Sequence, residues 1–252
     1  MKLLKLLEEF DPNIKKDDVS YKKLVKSVKF LEGKKKVLFL TTSNRGEWAV
    51  KELKEEPKST RLAKVVQEYL GKDKCVLIEV PKLKIYSCEG NVSHKDGNSC
   101  GVSKAKLENK EKNPTGNHRC WASFNNNDDE LWKISKELFE SDAVIFWGSV
   151  RWGQMNSEYQ KLIERLTWLE NRHTTYKESN IIKDISAGII AVGQNWRGSE
   201  VIDIQKQVLE FFGFKVNSDL CWNWQYTKDK YDETQKSYEK ADDSFTQTFN
   251  IN

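Results

Sequence analysis

No stretch of the chain approaches the ~18 consecutive apolar residues of a membrane-spanning helix, so no membrane span is expected. The opening MKLLKLLEEF interrupts its leucines with charge and does not read as a secretory signal. Cysteine is sparse: five residues, an odd number, with no C-x-x-C spacing. That set implies reduced thiols and a cytoplasmic location rather than a disulfide framework. Also missing is a basic stripe interleaved with aromatics, the mark of a nucleic-acid binder. The net charge of +4 is local, because residues 1–36 hold eleven lysines against six carboxylates and the remainder is close to neutral. Such a leader is more simply a solvated helical face, and neither nucleic acid nor membrane is expected as a partner.

What is present suffices for one sizeable core: 252 residues, 38% hydrophobic and 11% aromatic. Residues 1–33 read as two short helices split at Asp11-Pro12-Asn13, the second carrying Leu24, Val28 and Leu31 on one face and ending at Gly33. Alternation then begins. Lys36–Leu40 is a short, strongly apolar strand, residues 58–71 a helix, and Cys75–Val80 a second strand. A polar excursion from 82 to 126 precedes a helix over Asp128–Ser141. Ala143–Trp147 is a third strand, followed by a helix with Tyr159, Leu162, Ile163 and Leu166 on one side. Ile185–Val192, a helix over Glu200–Phe212 and a fifth strand from Phe214 complete the series. Strands apolar throughout are buried on both faces, and strands separated by helices form right-handed parallel crossovers. The pattern therefore predicts one doubly wound, five-stranded parallel sheet in three α/β/α layers. The divisions expected are an N-terminal helical extension (1–35), the sheet domain (36–220, with the insertion 82–126) and a polar C-terminal tail (221–252).

In an open α/β sheet, ligands bind beyond the carboxyl ends of the strands. Three loops fall there. The first runs Thr42-Ser43-Asn44-Arg45 and returns to a helix start at Lys58-Ser59-Thr60, where hydroxyls and backbone N–H groups suit a phosphate. It lacks the glycine spacing of a P-loop or of the G-x-G-x-x-G turn, and helix capping by Ser59 or Thr60 would explain it as well. The second is Gly148-Ser149-Val150-Arg151-Trp152-Gly153, and the third Gly193-Gln194-Asn195-Trp196-Arg197-Gly198. One phosphate-friendly loop beside two loops rich in aromatic, glycine and polar residues suits a flat heteroaromatic ligand with a phosphate tail.

Over residues 36–216 this pattern resembles the flavodoxin-like NAD(P)H-dependent FMN reductases, including the branch related to iron–sulfur flavoproteins. Thr42-Ser43-Asn44-Arg45 with Ser59-Thr60 resembles the family's G-S-x-R loop and S/N-T helix start, with Thr42 in place of the glycine and Gly46–Pro57 inserted. Gly148 to Gly153 resembles its S-P-V-Y-W-G turn without the proline, and Gly193 to Gly198 its later glycine-rich loop. The resemblance implies a flavodoxin-like fold, bound FMN, NADPH or NADH as electron donor, a small acceptor such as a quinone or free flavin, and a homodimer or homotetramer. It places Thr42, Ser43, Arg45, Ser59 and Thr60 around the FMN phosphate, and Ser149, Val150, Arg151, Trp152, Gly153, Gly193, Gln194 and Asn195 around the ring. Because the flavin itself carries hydride chemistry, no side-chain acid or base is required. An ion pair of Arg151 with Glu158 or Glu164 is the plainer alternative for that residue.

Cys88 to Ser93, with Cys100 and Cys120, resembles a cysteine-bearing segment of some members, but the compact four-cysteine cluster motif is absent. Cys88, Cys100, His118 and Cys120, with His94 nearby, form a weak alternative as metal ligands; free thiols or a redox pair fit the spacing better. A flavodoxin-like electron carrier and a non-catalytic scaffold of the same fold remain the competing functional readings.

Overall fold

A computed structural model of the protein describes residues 2–10, 14–44, 56–90, 99–192 and 197–224. In chain order the elements are α1 (Lys2–Phe10), α2 (Val19–Glu32), β1 (Val37–Thr41), α3 (Lys58–Leu70), β2 (Cys75–Glu79), α4 (Trp121–Asn125), α5 (Leu131–Phe139) and β3 (Ala143–Gly148). There follow β4 (Val150–Arg151), β5 (Gln154–Met155), α6 (Ser157–Thr174), β6 (Ser186–Val192), α7 (Gly198–Phe212) and β7 (Lys215–Trp224).

Five strands form one sheet in the order β2-β1-β3-β6-β7, every neighbouring pair parallel. Counted among these five strands alone, the order is 2-1-3-4-5, the flavodoxin-like winding. The strands β1, β3 and β6 are buried along their whole length, as continuous apolar runs require when helices cover both faces. Period-two alternation divides their side chains between two cores. Leu38, Leu40, Val144, Phe146, Ala187, Ile189 and Ala191 pack against α5, α6 and α7. Val37, Phe39, Ala143, Ile145, Trp147, Ile190 and Val192 pack against α1, α2 and α3.

The second face shows how the chain completes its core. Only one crossover helix, α3, lies there, and α1 and α2 join it through Leu3, Leu7, Phe10, Leu24, Val28 and Leu31. Trp222 and Trp224, at the end of β7, belong to the same core, and the Trp222 indole donates to Ser27 Oγ on α2 at 2.9 Å. The sheet thus extends to residue 224; the chain from 225 to 252 lies outside the described residues.

Buried arginines on α6 tie down the excursion after β2: Arg172 donates to the Asn117 carbonyl at 2.9 Å, and Arg165 makes the larger set of contacts. Arg165, on α6, makes two hydrogen bonds to Asp129, at 2.8 and 2.9 Å, with both side chains fully buried. The same guanidinium donates to the Tyr86 carbonyl at 2.6 Å, to Ser123 Oγ at 2.9 Å and to Cys120 Sγ at 3.4 Å. A planar five-donor fork can hold several loop groups at once, which a lysine could not.

Candidate functional site

The carboxyl ends of β1, β3 and β6 lie side by side: Thr41 is in register with Trp147, and Gly148 with Ala191. The loops leaving β1 and β3 converge there. Ser59, in the first turn of α3, donates from Oγ to Ser43 Oγ at 2.7 Å, and Ser43 Oγ lies 3.3 Å from Ser149 Oγ. Three hydroxyls from three separate segments therefore form a chain across the sheet edge, and the insertion between Arg45 and Ser59 does not keep Ser59 from Ser43. Thr60 and Thr42 are buried beside them. The residue preceding α3 is Pro57, and no side chain caps that helix.

Asn156 fixes the geometry of the two loops. Its Nδ2 donates to the Thr42 carbonyl at 2.7 Å, while its Oδ1 accepts from Thr42 Oγ1 at 3.1 Å and from the Ser149 N–H at 3.2 Å. Its own N–H donates to the Ser149 carbonyl at 3.0 Å. Asn156 occupies the N-cap of α6, yet its side chain makes no capping bond there; its polar groups are spent on the loops. The approach of the segments is close at Gly148. A Cβ there would lie 2.4 Å from Met155 Cε and 2.8 Å from both Asn156 Oδ1 and Thr42 Oγ1, so only glycine fits.

Beyond Ser149 the chain forms a two-residue antiparallel hairpin, pairing Val150 with Met155 and Arg151 with Gln154. Trp152 and Gly153 are its tip, with φ of 50° and 70°. Two positive φ values mark a type I′ turn, which asparagine and glycine favour and a bulky aromatic does not. Trp152 is nonetheless there, 93% exposed. Val150 turns inward and joins the core, whereas Arg151 faces outward. Arg151, Trp152 and Met155 line an open cleft of ≈ 550 Å³ against the start of α6, which Ser87 also lines. The alternative pairing of Arg151 with Glu158 or Glu164 does not form among the described residues; Glu158 pairs with Lys161 at 2.7 Å.

Thr42, Ser43, Ser59, Thr60 and Ser149 are thus brought together, and Arg151, Trp152 and Gly153 sit on the adjoining hairpin. Arg45, Gly193, Gln194 and Asn195 lie outside the described residues. Their flanks, Val192 and Gly198, are at the same sheet edge, where a Cβ on Gly198 would meet the Asn223 side chain at 2.4 Å. The sequence reading missed Asn156 and Met155, and named Gly148 only as the start of the second loop. An asparagine immediately before a helix of S-E-Y-Q texture is visible as an N-cap signal; its diversion to two loops is not.

The described part of the cysteine excursion packs against α6. Cys100 and Cys120 are buried, and burial pushes the Cys100 thiol up to about 12, the nearby Cys120 and Cys88 sulfurs adding to the effect. His118 is buried against the Trp168 ring, with Nδ1 2.7 Å from Ser135 Oγ. Burial, then the Arg165 charge, drives its pKa down to about 3, so it is neutral. Among the described residues, no group of three or more His, Cys, Asp or Glu side chains is set to hold a metal ion; His94 lies outside them. No described helix is long and apolar enough to cross a membrane.

No family model and no curated protein sequence matches the chain. Among solved structures, RosB with bound 8-demethyl-8-formylriboflavin-5'-phosphate is similar at 16% identity and a TM-score of 0.48, over 75% of this chain and 64% of RosB. The chain therefore spans under two thirds of RosB. The flavoenzyme NAD(P)H:(acceptor) oxidoreductase FerB of Paracoccus denitrificans is similar at 15% identity and a TM-score of 0.47, over 85% of this chain and 92% of FerB. An azoreductase of Bacillus anthracis str. Sterne is similar at 16% identity and a TM-score of 0.40, over 73% of this chain and 83% of its own. These likenesses are remote, and the fold is established by the strand order of the chain itself.

Proposed function

We propose that this protein is an FMN-dependent oxidoreductase that takes electrons from NADPH or NADH and delivers them to a small acceptor. The observation that carries the reading is the chain Ser59–Ser43–Ser149 at the first turn of α3 and the carboxyl edge of a flavodoxin-like sheet. Hydroxyls that can rotate their protons toward one point, beside a helix N-terminus whose dipole favours negative charge, have the donor chemistry of a phosphate cradle. The donor set fits an FMN phosphate; Arg45 would add a guanidinium from the same loop. Ser149 and the hairpin beyond it stand where the ring would follow. When bound, FMN supplies the hydride and electron transfer, which is why no acid–base pair need be found. The residues of the chain bind it, orient it through Asn156, and leave one side accessible. Assembly as a homodimer or homotetramer belongs to the same reading.

Incubated with FMN, the protein should retain a yellow flavin spectrum on desalting, and anaerobic NADPH or NADH should bleach it. A protein that takes up no FMN would overturn the proposal. A yellow protein that neither nicotinamide reduces would instead be an electron carrier.

A further inference from the structure

Away from the carboxyl edge, α2 departs from the other helices in how it carries charge. It holds four lysines, Lys22, Lys23, Lys26 and Lys29, against one carboxylate, Glu32. All four lysines are exposed, and none enters an ion pair among the described residues. Glu32 accepts from the Tyr69 hydroxyl at 3.0 Å. Elsewhere Lys82, Lys133 and Lys161 each pair with a glutamate three residues earlier. Lys22, Lys26 and Lys29 stand at i, i+4 and i+7 on one side of α2, spacings at which like charges repel and destabilise a helix. Leu24, Val28 and Leu31 are buried on the opposite side. Val19 and Val25, 68% and 37% exposed, stand among the lysines. Lys15 and Lys16 precede the helix, offset by Asp17 and Asp18.

The residue types select the partner. The helix contains no arginine, and its two aromatic residues, Tyr21 and Phe30, are half-buried. Arginines and exposed rings are the anchors of specific protein interfaces and of stacked or base-reading nucleic-acid contacts. Lysines are compact point charges that need only charge density opposite them. An anionic bilayer supplies that density, together with a headgroup layer in which two valines can lie. We propose that the outer face of α2 docks the protein reversibly on an anionic lipid bilayer. Because Leu24, Val28 and Leu31 are committed to the core, the helix has no apolar side left to insert, and the attachment is electrostatic. The lysine run was visible in the sequence; its lack of carboxylate partners is a property of the fold. No residue of the carboxyl edge takes part, so the docking stands independently of the flavin reading.

The test is sedimentation of the full-length protein with vesicles of phosphatidylcholine alone and of phosphatidylcholine with about a third phosphatidylserine, a composition that attracts polybasic faces. The mixed vesicles should bind at least about tenfold more tightly at low salt. Raising the ionic strength from about 0.01 M to about 1 M, which shortens the screening length from about 30 Å to about 3 Å, should release the protein. The triple variant Lys22→Gln, Lys26→Gln, Lys29→Gln should bind mixed vesicles no better than neutral ones. Its melting temperature should stay level or rise, because like-charge repulsion is relieved. The variant Lys104→Gln, Lys110→Gln, Lys183→Gln removes the same charge from exposed positions elsewhere and should bind as wild type does. No preference for phosphatidylserine, equal losses in the two variants, or binding that survives high salt would overturn the proposal. Tighter binding of poly-glutamate or of duplex DNA than of the mixed vesicles, at equal salt, would overturn it as well and reassign the face to an acidic protein or to nucleic acid.

Discussion

A serine hydroxyl is a useful anion ligand because it is small and carries one rotatable proton. Ser43, Ser59 and Ser149 could be suspected from sequence because each sits where a strand ends or a helix begins. Asn156 could not, because its work depends on Thr42 and Ser149 being neighbours in space, more than a hundred positions apart for the first. His118 was equally opaque. It read as a metal-ligand candidate in a polar loop, and the fold buries it completely. Its pKa falls from 6.5 to about 3, chiefly by desolvation. Below pH 6.5 the unfolded chain therefore takes up a proton at this site that the native protein refuses, so stability falls as pH falls. Between pH 7 and pH 5 the loss should be about 2 kcal/mol. Asp129, held below the usual carboxylate range by Arg165 and Ser123 against the opposing effect of burial, titrates beneath that window. Urea denaturation at the two pH values measures the loss, and His118→Gln should flatten the difference. An unchanged difference would place the acid sensitivity elsewhere.

Among the elements, the strands and crossover helices were legible because continuous apolar runs and 3.6-residue periodicity both report burial directly. The bounds of α3 and β6 differ from the sequence reading by one residue each. The hairpin of β4 and β5 was not legible. Two-residue strands carry no periodicity, and Trp152 violates the turn preference that would have announced it. The excursion from 82 to 126 read as polar, yet it supplies Ile85, Cys100, Ala105, Cys120 and Ala122 to the core. Its anchor, Arg165, lies on another element, so nothing within the excursion announces it. Replacing Asp129 with alanine strands that guanidinium in the core and should cost about 3–5 kcal/mol. A urea midpoint within experimental error of wild type would show that the excursion is held by its apolar contacts instead.

At the scale of the molecule, the N-terminal lysine-rich segment reads in sequence as a solvated face. In the structure its apolar side, Leu3, Leu7, Phe10, Leu24, Val28 and Leu31, covers the sheet face that α3 alone leaves open. The lysines remain outward, so charge and core are satisfied by the same two helices. The loops that follow β1 and β3 gather at the carboxyl edge of those strands. Everything proposed for function depends on that edge gripping a phosphate. The most direct measurement is the affinity of the wild-type protein for FMN and for riboflavin, which differ by the phosphate alone. Two or three charge-assisted hydrogen bonds should favour FMN by at least about a hundredfold, and Ser59→Ala should narrow the gap about tenfold. Equal affinity for the two flavins, or a gap that Ser59→Ala leaves untouched, would contradict the account.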